Sequence, residues 1–300
     1  MAAHGTAKGR KKGKPRQLRQ PVRATRRWPI ILVMAASLVA LVSLWLLRSA
    51  PPEPKVAPST PAAAASPADV PERLTAKVLS VRPHDAEAFT QGLLLHGGAL
   101  FESTGLYGSS SLREVDPTTG TVKRKLSLPG RYFAEGLAAV DDRLIQLTWK
   151  EEKAFVYQLS DFKPAGELRY DGEGWGLCFD GRRLVMSDGS DRLTFRDAQT
   201  FAVLGEVHVT SAGKPVDALN ELECVDGAVY ANVWETDDIL RIDPASGKVT
   251  AVIDASGLLT PGERRRADVL NGIAWDPQRK TFLITGKLWP KLFEVTFVPQ

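Results

Sequence analysis

From residue 76 onward the chain alternates apolar runs of four to six residues with Gly, Asp and Pro, and no stretch sustains a 3.6-residue periodicity. The pattern predicts an all-β body of short strands and tight turns. Several runs open on a shared motif. Gln91-Gly92-Leu93, Glu135-Gly136-Leu137 and Trp175-Gly176-Leu177 are followed by the looser Asn220-Glu221-Leu222 and Asn271-Gly272-Ile273, at spacings of 44, 40, 45 and 51 residues. Each motif leads into a run, a turn and a second run, and in two units a further pair closes on an Asp-Pro-x-x-Gly turn at 116–120 and 243–247. There Pro presets φ and Gly accepts the left-handed position. About 45 residues and four short strands per unit is the propeller period, so these five units predict a five-bladed β-propeller. A strand at 76–81 (AKVLSV) and one at 292–297 (LFEVTF) are expected to pair in one blade, which removes two exposed edges and closes the ring. An irregular β-sandwich is the competing architecture.

The first 50 residues change the picture of charge. They carry eleven Lys and Arg and no Asp or Glu, which leaves 28 basic against 35 acidic residues in the rest of the chain. The formal +4 is thus a basic leader on an acidic body, which would repel phosphate backbones, so no nucleic-acid partner is expected. Residues 28–47 (WPIILVMAASLVALVSLWLL) are uncharged and long enough at 1.5 Å per residue to cross a bilayer core of about 30 Å. The expected organisation is a basic cytoplasmic tail at 1–27, a transmembrane signal anchor at 28–48, a Pro/Ala-rich linker at 49–75 and a catalytic domain at 76–300. The N-terminal helix would hold that domain at the membrane on the extracytoplasmic side, periplasmic or extracellular, as a monomer. A cleaved signal peptide is the alternative, although the apolar run is long for one.

Cys178 and Cys224 are 46 residues apart and stand at equivalent places in successive units, each two residues before an Asp-Gly turn. That equivalence and an oxidising compartment predict a disulfide; two buried free thiols are the competing reading. The four His are scattered, one of them in the leader, which argues against a His-based metal cluster or a Ser-His-Asp triad. Carboxylate and lysine are then the expected catalytic groups.

In a propeller the innermost strands open at one mouth of a central channel. The five motifs would bring Gln91, Glu135, Trp175, Asn220 and Asn271 there. The stretches AFTQGL (88–93), FAEGLA (133–138), LTWKE (147–151), EGWGL (173–177), LNELE (219–223), NVWETDDI (232–239), LNGIAWD (270–276) and ITGKLWP (284–290) together resemble the plant and bacterial type of glutaminyl cyclotransferase. The resemblance spans about residues 78–298 and leaves out the leader and linker. It implies a five-bladed propeller that converts N-terminal glutamine of peptides or proteins to pyroglutamate, with no metal and no cofactor. It makes Glu135 the proton-transfer residue, places Phe89, Gln91, Phe133, Asn220 and Lys287 around the reacting glutamine, and lines the pocket with Trp149, Trp175 and Trp234. The chemistry agrees: one carboxylate can take a proton from the attacking amine and return it to the leaving nitrogen, while Lys287 and the Asn220 amide face the developing oxyanion. Two other classes stay open. One is a metal-dependent lactonase-like hydrolase using Glu135, Asn220 and Asn271 as oxygen ligands; the other is a non-catalytic binding propeller.

Overall fold

The computed structural model describes residues 70–300. The tail, the anchor at 28–48 and most of the linker lie outside these residues. No helix among the described residues is long and apolar enough to cross a membrane.

The described chain is almost wholly β. One antiparallel sheet holds β2 (Thr90–His96), β3 (Ala99–Thr104), β4 (Ser111–Val115) and β5 (Val122–Ser127), paired in that order. A second repeats it with β6 (Ala134–Val140), β7 (Arg143–Thr148), β8 (Lys153–Gln158) and β9 (Pro164–Arg169). A third follows with β10 (Leu177–Phe179), β11 (Arg183–Ser187), β12 (Arg192–Asp197) and β13 (Val203–His208). The fourth sheet has eight strands. Its order is β16 (Leu219–Val225), β17 (Ala228–Val233), β18 (Asp238–Ile242), β19 (Val249–Asp254), β1 (Glu72–Pro83), β22 (Lys291–Pro299), β21 (Thr281–Gly286) and β20 (Leu270–Asp276). A short hairpin, β14 (Thr210–Ser211) with β15 (Lys214–Pro215), and a one-turn helix, α1 (Pro261–Arg264), complete it.

The opening strands β2, β6, β10, β16 and β20 each touch the next, and β20 touches β2, so they form a ring. Burial falls outward from it: β6 is buried along its whole length, whereas the last strand of its sheet, β9, is mostly exposed. The apolar cores lie between facing sheets. One cluster packs Ile145 and Leu147 against Leu177 and Leu184, and another packs Leu93 and Leu100 against Ala274 and Leu283. Trp289 is fully buried in such a cluster and Trp275 packs against it.

The Asp-Pro-x-x-Gly turns join β4 to β5 and β18 to β19, with Gly120 at φ +70 and Gly247 at +71. The early and late strands pair antiparallel, as expected, from Leu74 with Pro299 to Pro83 with Lys291. One boundary is corrected. β1 begins at Glu72, inside the expected linker, and its residues 72–75 pair in parallel with β19 while Leu74 and Thr75 also pair with β22 on the other side. That contact merges two groups of four strands into the eight-stranded sheet and covers the outer edge of β19. Cys178 on β10 and Cys224 on β16 form a disulfide with Cα atoms 5.5 Å apart, linking two neighbouring opening strands.

Candidate active site

The opening motif is a β-bulge in four of the ring strands. Thr90 pairs with Thr104 and Gly92 with Ser103, so Gln91 is an extra residue; equivalent shifts fall between Ala134 and Leu137, Leu219 and Leu222, and Leu270 and Ile273. A bulge breaks the in-out alternation and re-aims a side chain, here Gln91, Glu135 and Asn220, towards one cavity. The motif glycine lets adjacent ring strands approach. A Cβ on Gly176 would stand 2.0 Å from the Asn220 carbonyl oxygen, and one on Gly136 2.5 Å from the Leu177 nitrogen. The fourth motif has Glu221 instead. Its carboxylate accepts hydrogen bonds from the backbone N–H groups of Leu93 (3.1 Å) and Ile273 (2.8 Å), tying β16 to β2 and β20.

Two further positions of the repeat complete the walls. The backbone N–H groups of Gly105, Trp149, Trp234 and Lys287 donate to the carbonyls of Phe89, Phe133, Ala218 and Val269, each two residues before a motif. Trp149, Trp234 and Lys287 therefore occupy one repeated position, and Phe89, Phe133 and Val269 another. Leu106, Glu235 and Leu288, which follow Gly105, Trp234 and Lys287, hold φ values of +83, +63 and +60. Positive φ is uncommon outside glycine, and at these three positions it directly follows the repeated wall position.

All nine residues expected at the site, Phe89, Gln91, Phe133, Glu135, Trp149, Trp175, Asn220, Trp234 and Lys287, line a cavity of about 530 Å³. Phe133 is central to its aromatic wall, with ring centres 6.2 Å from Phe89, 5.4 Å from Tyr107 and 5.6 Å from Trp149. Gly105 makes room for it, since a Cβ there would meet the Phe133 ring at 2.4 Å. Trp175 and Trp234 stand edge to face at 5.8 Å.

The sequence reading missed Leu106, Glu235, Asp268 and Val269 in the lining. It also missed Glu173, whose Oε2 accepts from the indole N–H of Trp149 (2.7 Å) and of Trp175 (3.0 Å) and so sets both rings. A signal existed for two of these. Glu173 and Val269 stand two residues before a motif, as Phe89 and Phe133 do. Asn271 is not in the lining. Its Nδ2 donates to Gln91 Oε1 (3.1 Å) and to the Thr90 carbonyl (3.0 Å), which orients the Gln91 amide so that Nε2 donates to Glu135 Oε1 at 2.9 Å. Of the oxygen set weighed for a cation, Glu135 and Asn220 line the cavity and Asn271 does not. Among the described residues no three His, Cys, Asp or Glu side chains gather as a metal-holding group.

Glu135 is 4 % exposed and Lys287 5 %. Burial pushes the Glu135 carboxyl well above its ordinary value; Lys287 opposes this, and Glu173 and Glu151 add to it. Burial likewise lowers the pKa of Lys287, partly offset by Glu135 and Asp268. Lys287 Nζ lies 5.0 Å from the centre of the Phe89 ring. Asn220 is buried, and its Oδ1 has no hydrogen-bond partner among the described residues. A carboxyl that holds its proton tightly, beside a lysine that holds its own loosely, is suited to moving protons near neutral pH.

Residues 55–297 match the family model described as glutamine cyclotransferase. The chain belongs to the glutamine cyclotransferase family. It is 44% identical over 225 residues to an Arabidopsis thaliana glutaminyl-peptide cyclotransferase, covering 73% of this chain and 70% of that protein. The crystal structure of Myxococcus xanthus glutaminyl cyclase superposes with a TM-score of 0.70 at 44% identity, over 77% of this chain and 99% of that one. The family implied by the eight motifs is thus the family found, and its span of 78–298 lies almost wholly inside the matched region.

Proposed function

We propose that the chain cyclises the N-terminal glutamine of peptides or proteins to pyroglutamate and releases ammonia, by general acid/base catalysis centred on Glu135. The observation that carries this reading is the convergence of nine residues, remote in sequence, on one aromatic-walled cavity in which a buried carboxyl meets a buried lysine. The α-amine nitrogen attacks the side-chain amide carbon, and the new N–C bond closes the five-membered ring. Glu135 takes the proton that the amine sheds and hands it to the departing nitrogen, whose C–N bond breaks to give ammonia. Lys287 and the Asn220 amide face the oxyanion that forms between these steps, in a site where low polarity strengthens each contact. Nucleophile and electrophile share one residue, so holding a near-attack conformer is most of the task, and Phe89, Phe133, Trp149, Trp175 and Trp234 supply the grip. Asn271 fixes Gln91, and Gln91 fixes Glu135.

The same proposal reads the eight-stranded sheet as two blades joined through β19 and β1, making a five-bladed propeller. It reads the chemistry as metal-independent and the chain as a monomer. It keeps the anchored, extracytoplasmic placement, which the Cys178–Cys224 disulfide favours. The test is ammonia release from a Gln-led dipeptide by the purified protein, with and without chelator. Chelator-resistant release supports the proposal. Loss of release that Ca²⁺ restores would instead assign a metal-dependent reaction, and no release from any Gln-led peptide would leave a binding role.

A further inference from the structure

A buried ion pair lies where the segment carrying Gln91 meets the turn carrying Lys287. His84 follows β1 and Glu102 is on β3; their side chains are 2% and 1% exposed. The His84 ring sits between two acceptors, with Nδ1 2.7 Å from the Trp289 carbonyl oxygen and Nε2 3.0 Å from Glu102 Oε1. A carbonyl only accepts, and so does a carboxylate, so both ring nitrogens carry protons and His84 is an imidazolium. Burial opposes that charge, but the attraction and hydrogen bond of Glu102, the Trp289 carbonyl and Asp85 together outweigh it, and the pKa of His84 is raised. Arg113 stands 3.8 Å from Glu102 Oε2 and 2.8 Å from Asp85 Oδ2, so two cations face two carboxylates.

The pair reaches both halves of the site. The His84 backbone N–H donates to the Pro290 carbonyl (3.0 Å), and its ring donates to Trp289, so one residue pins the 286–290 turn twice. That turn holds Leu288 at φ +60, with its N–H on the Ala88 carbonyl at 2.7 Å, and Lys287 is the residue it presents. On the other side Glu102 Oε1 accepts from Thr90 Oγ1 at 2.7 Å, and Thr90 precedes Gln91. The turn and the bulged strand are thereby referred to one buried pair.

We propose that His84 is a positioning residue: through Trp289 on one side, and through Glu102 and Thr90 on the other, it sets Lys287 against Gln91 and Glu135. Its effect on rate rests on the cyclotransferase reading; its effect on the Lys287 turn rests on geometry alone. A pair that only stabilised the fold would lower the melting temperature without changing the surroundings of Lys287.

The test compares His84→Asn with His84→Gln. An Asn amide nitrogen takes the place of Nδ1 and keeps the bond to Trp289, whereas a Gln amide nitrogen takes the place of Nε2 and keeps only the bond to Glu102. Lys287 accessibility is read by pulse acetylation of the folded protein and mass spectrometry, and kcat and KM by ammonia release. In His84→Gln, acetylation of Lys287 rises several-fold and kcat falls about tenfold at unchanged KM, while in His84→Asn acetylation stays near wild type and kcat falls because the bond to Glu102 is lost. Equal acetylation in all three proteins, or an equal rise in both variants, overturns the proposal. Should neither variant fold, Thr90→Val decides, since it keeps shape and removes one hydrogen bond: a lower kcat at wild-type KM and melting temperature supports the proposal, and an unchanged kcat overturns it. Absence of turnover by the wild type would count against the cyclotransferase reading alone, because the acetylation comparison needs no catalysis.

Discussion

Replacing Glu135 by Gln removes one ionisable oxygen and almost no volume. The Gln91 Nε2 donor at 2.9 Å still finds an acceptor, because the new amide oxygen can take the place of Oε1. The aromatic wall is untouched, so peptide binding and KM change little. What is lost is the proton shuttle, worth about 10² to 10⁴-fold in rate, or roughly 3–5 kcal/mol of barrier. Stability moves separately. Burial raises the folded-state pKa of Glu135, so its contribution is fully present below the ordinary value of 4.5 and is lost as pH rises through the raised one. The neutral amide does not titrate, so at neutral pH the variant escapes that loss, although Lys287 gives up a stabilising partner. A melting temperature no more than about 4 °C below wild type is expected, the shift of about 1 kcal/mol in a domain of this size. The assay is continuous ammonia release on a Gln-led dipeptide across a range of concentrations, with thermal melts of the same samples. A variant within about tenfold of the wild-type kcat would remove Glu135 from the chemistry.

Four other outcomes follow from the same geometry. Lys287→Ala should lower kcat about 10² to 10³-fold, as loss of an oxyanion donor does, whereas a change confined to KM would make Lys287 a binding residue. The Cys178–Cys224 bond closes a loop of 46 residues, so reduction should destabilise the domain by about 4 kcal/mol in the chain-entropy picture, and thiol titration of the unreduced, denatured protein should find no reactive thiol. Burial pushes Glu223 up to about 8, so its contribution to stability should fade as pH climbs from 4.5 through 8, and a melting temperature that falls equally in wild type and Glu223→Gln over that span would contradict this. Gly176→Ala places a Cβ 2.0 Å from the Asn220 carbonyl oxygen and should lower both melting temperature and kcat, which activity and melts on one preparation would check.

Much of this protein is written along the chain because its fold is a repeat. Each unit must solve the same packing problem, so the motif recurs at every ring strand, and the spacing of Gln91, Glu135, Trp175, Asn220 and Asn271 announces both the strands and their common mouth. The alternation of short apolar runs with Gly and Asp-Pro turns was likewise enough for the all-β class and for the pairing of the first strand with the last. Equivalent places in successive units were enough to bring Cys178 and Cys224 together.

Other features depend on distances that no one-dimensional spacing encodes. The extra pairing of residues 72–75 with β19 follows from β19 lying along the edge of β1 opposite β22. The turning of Asn271 away from the cavity and onto Gln91 follows from which bulge lies beside which. Glu173 clamps two indoles 24 and 2 residues away only because two sheets bring Trp149 and Trp175 to the same carboxylate. The depth at which Glu135 and Lys287 lie, and hence the opposite drift of their pKa values, is a property of the cavity rather than of either residue. Residue identities and their period chose the architecture and the chemical groups; desolvation and contact between strands far apart in sequence decided their protonation and aim, since both depend on what surrounds a group in space.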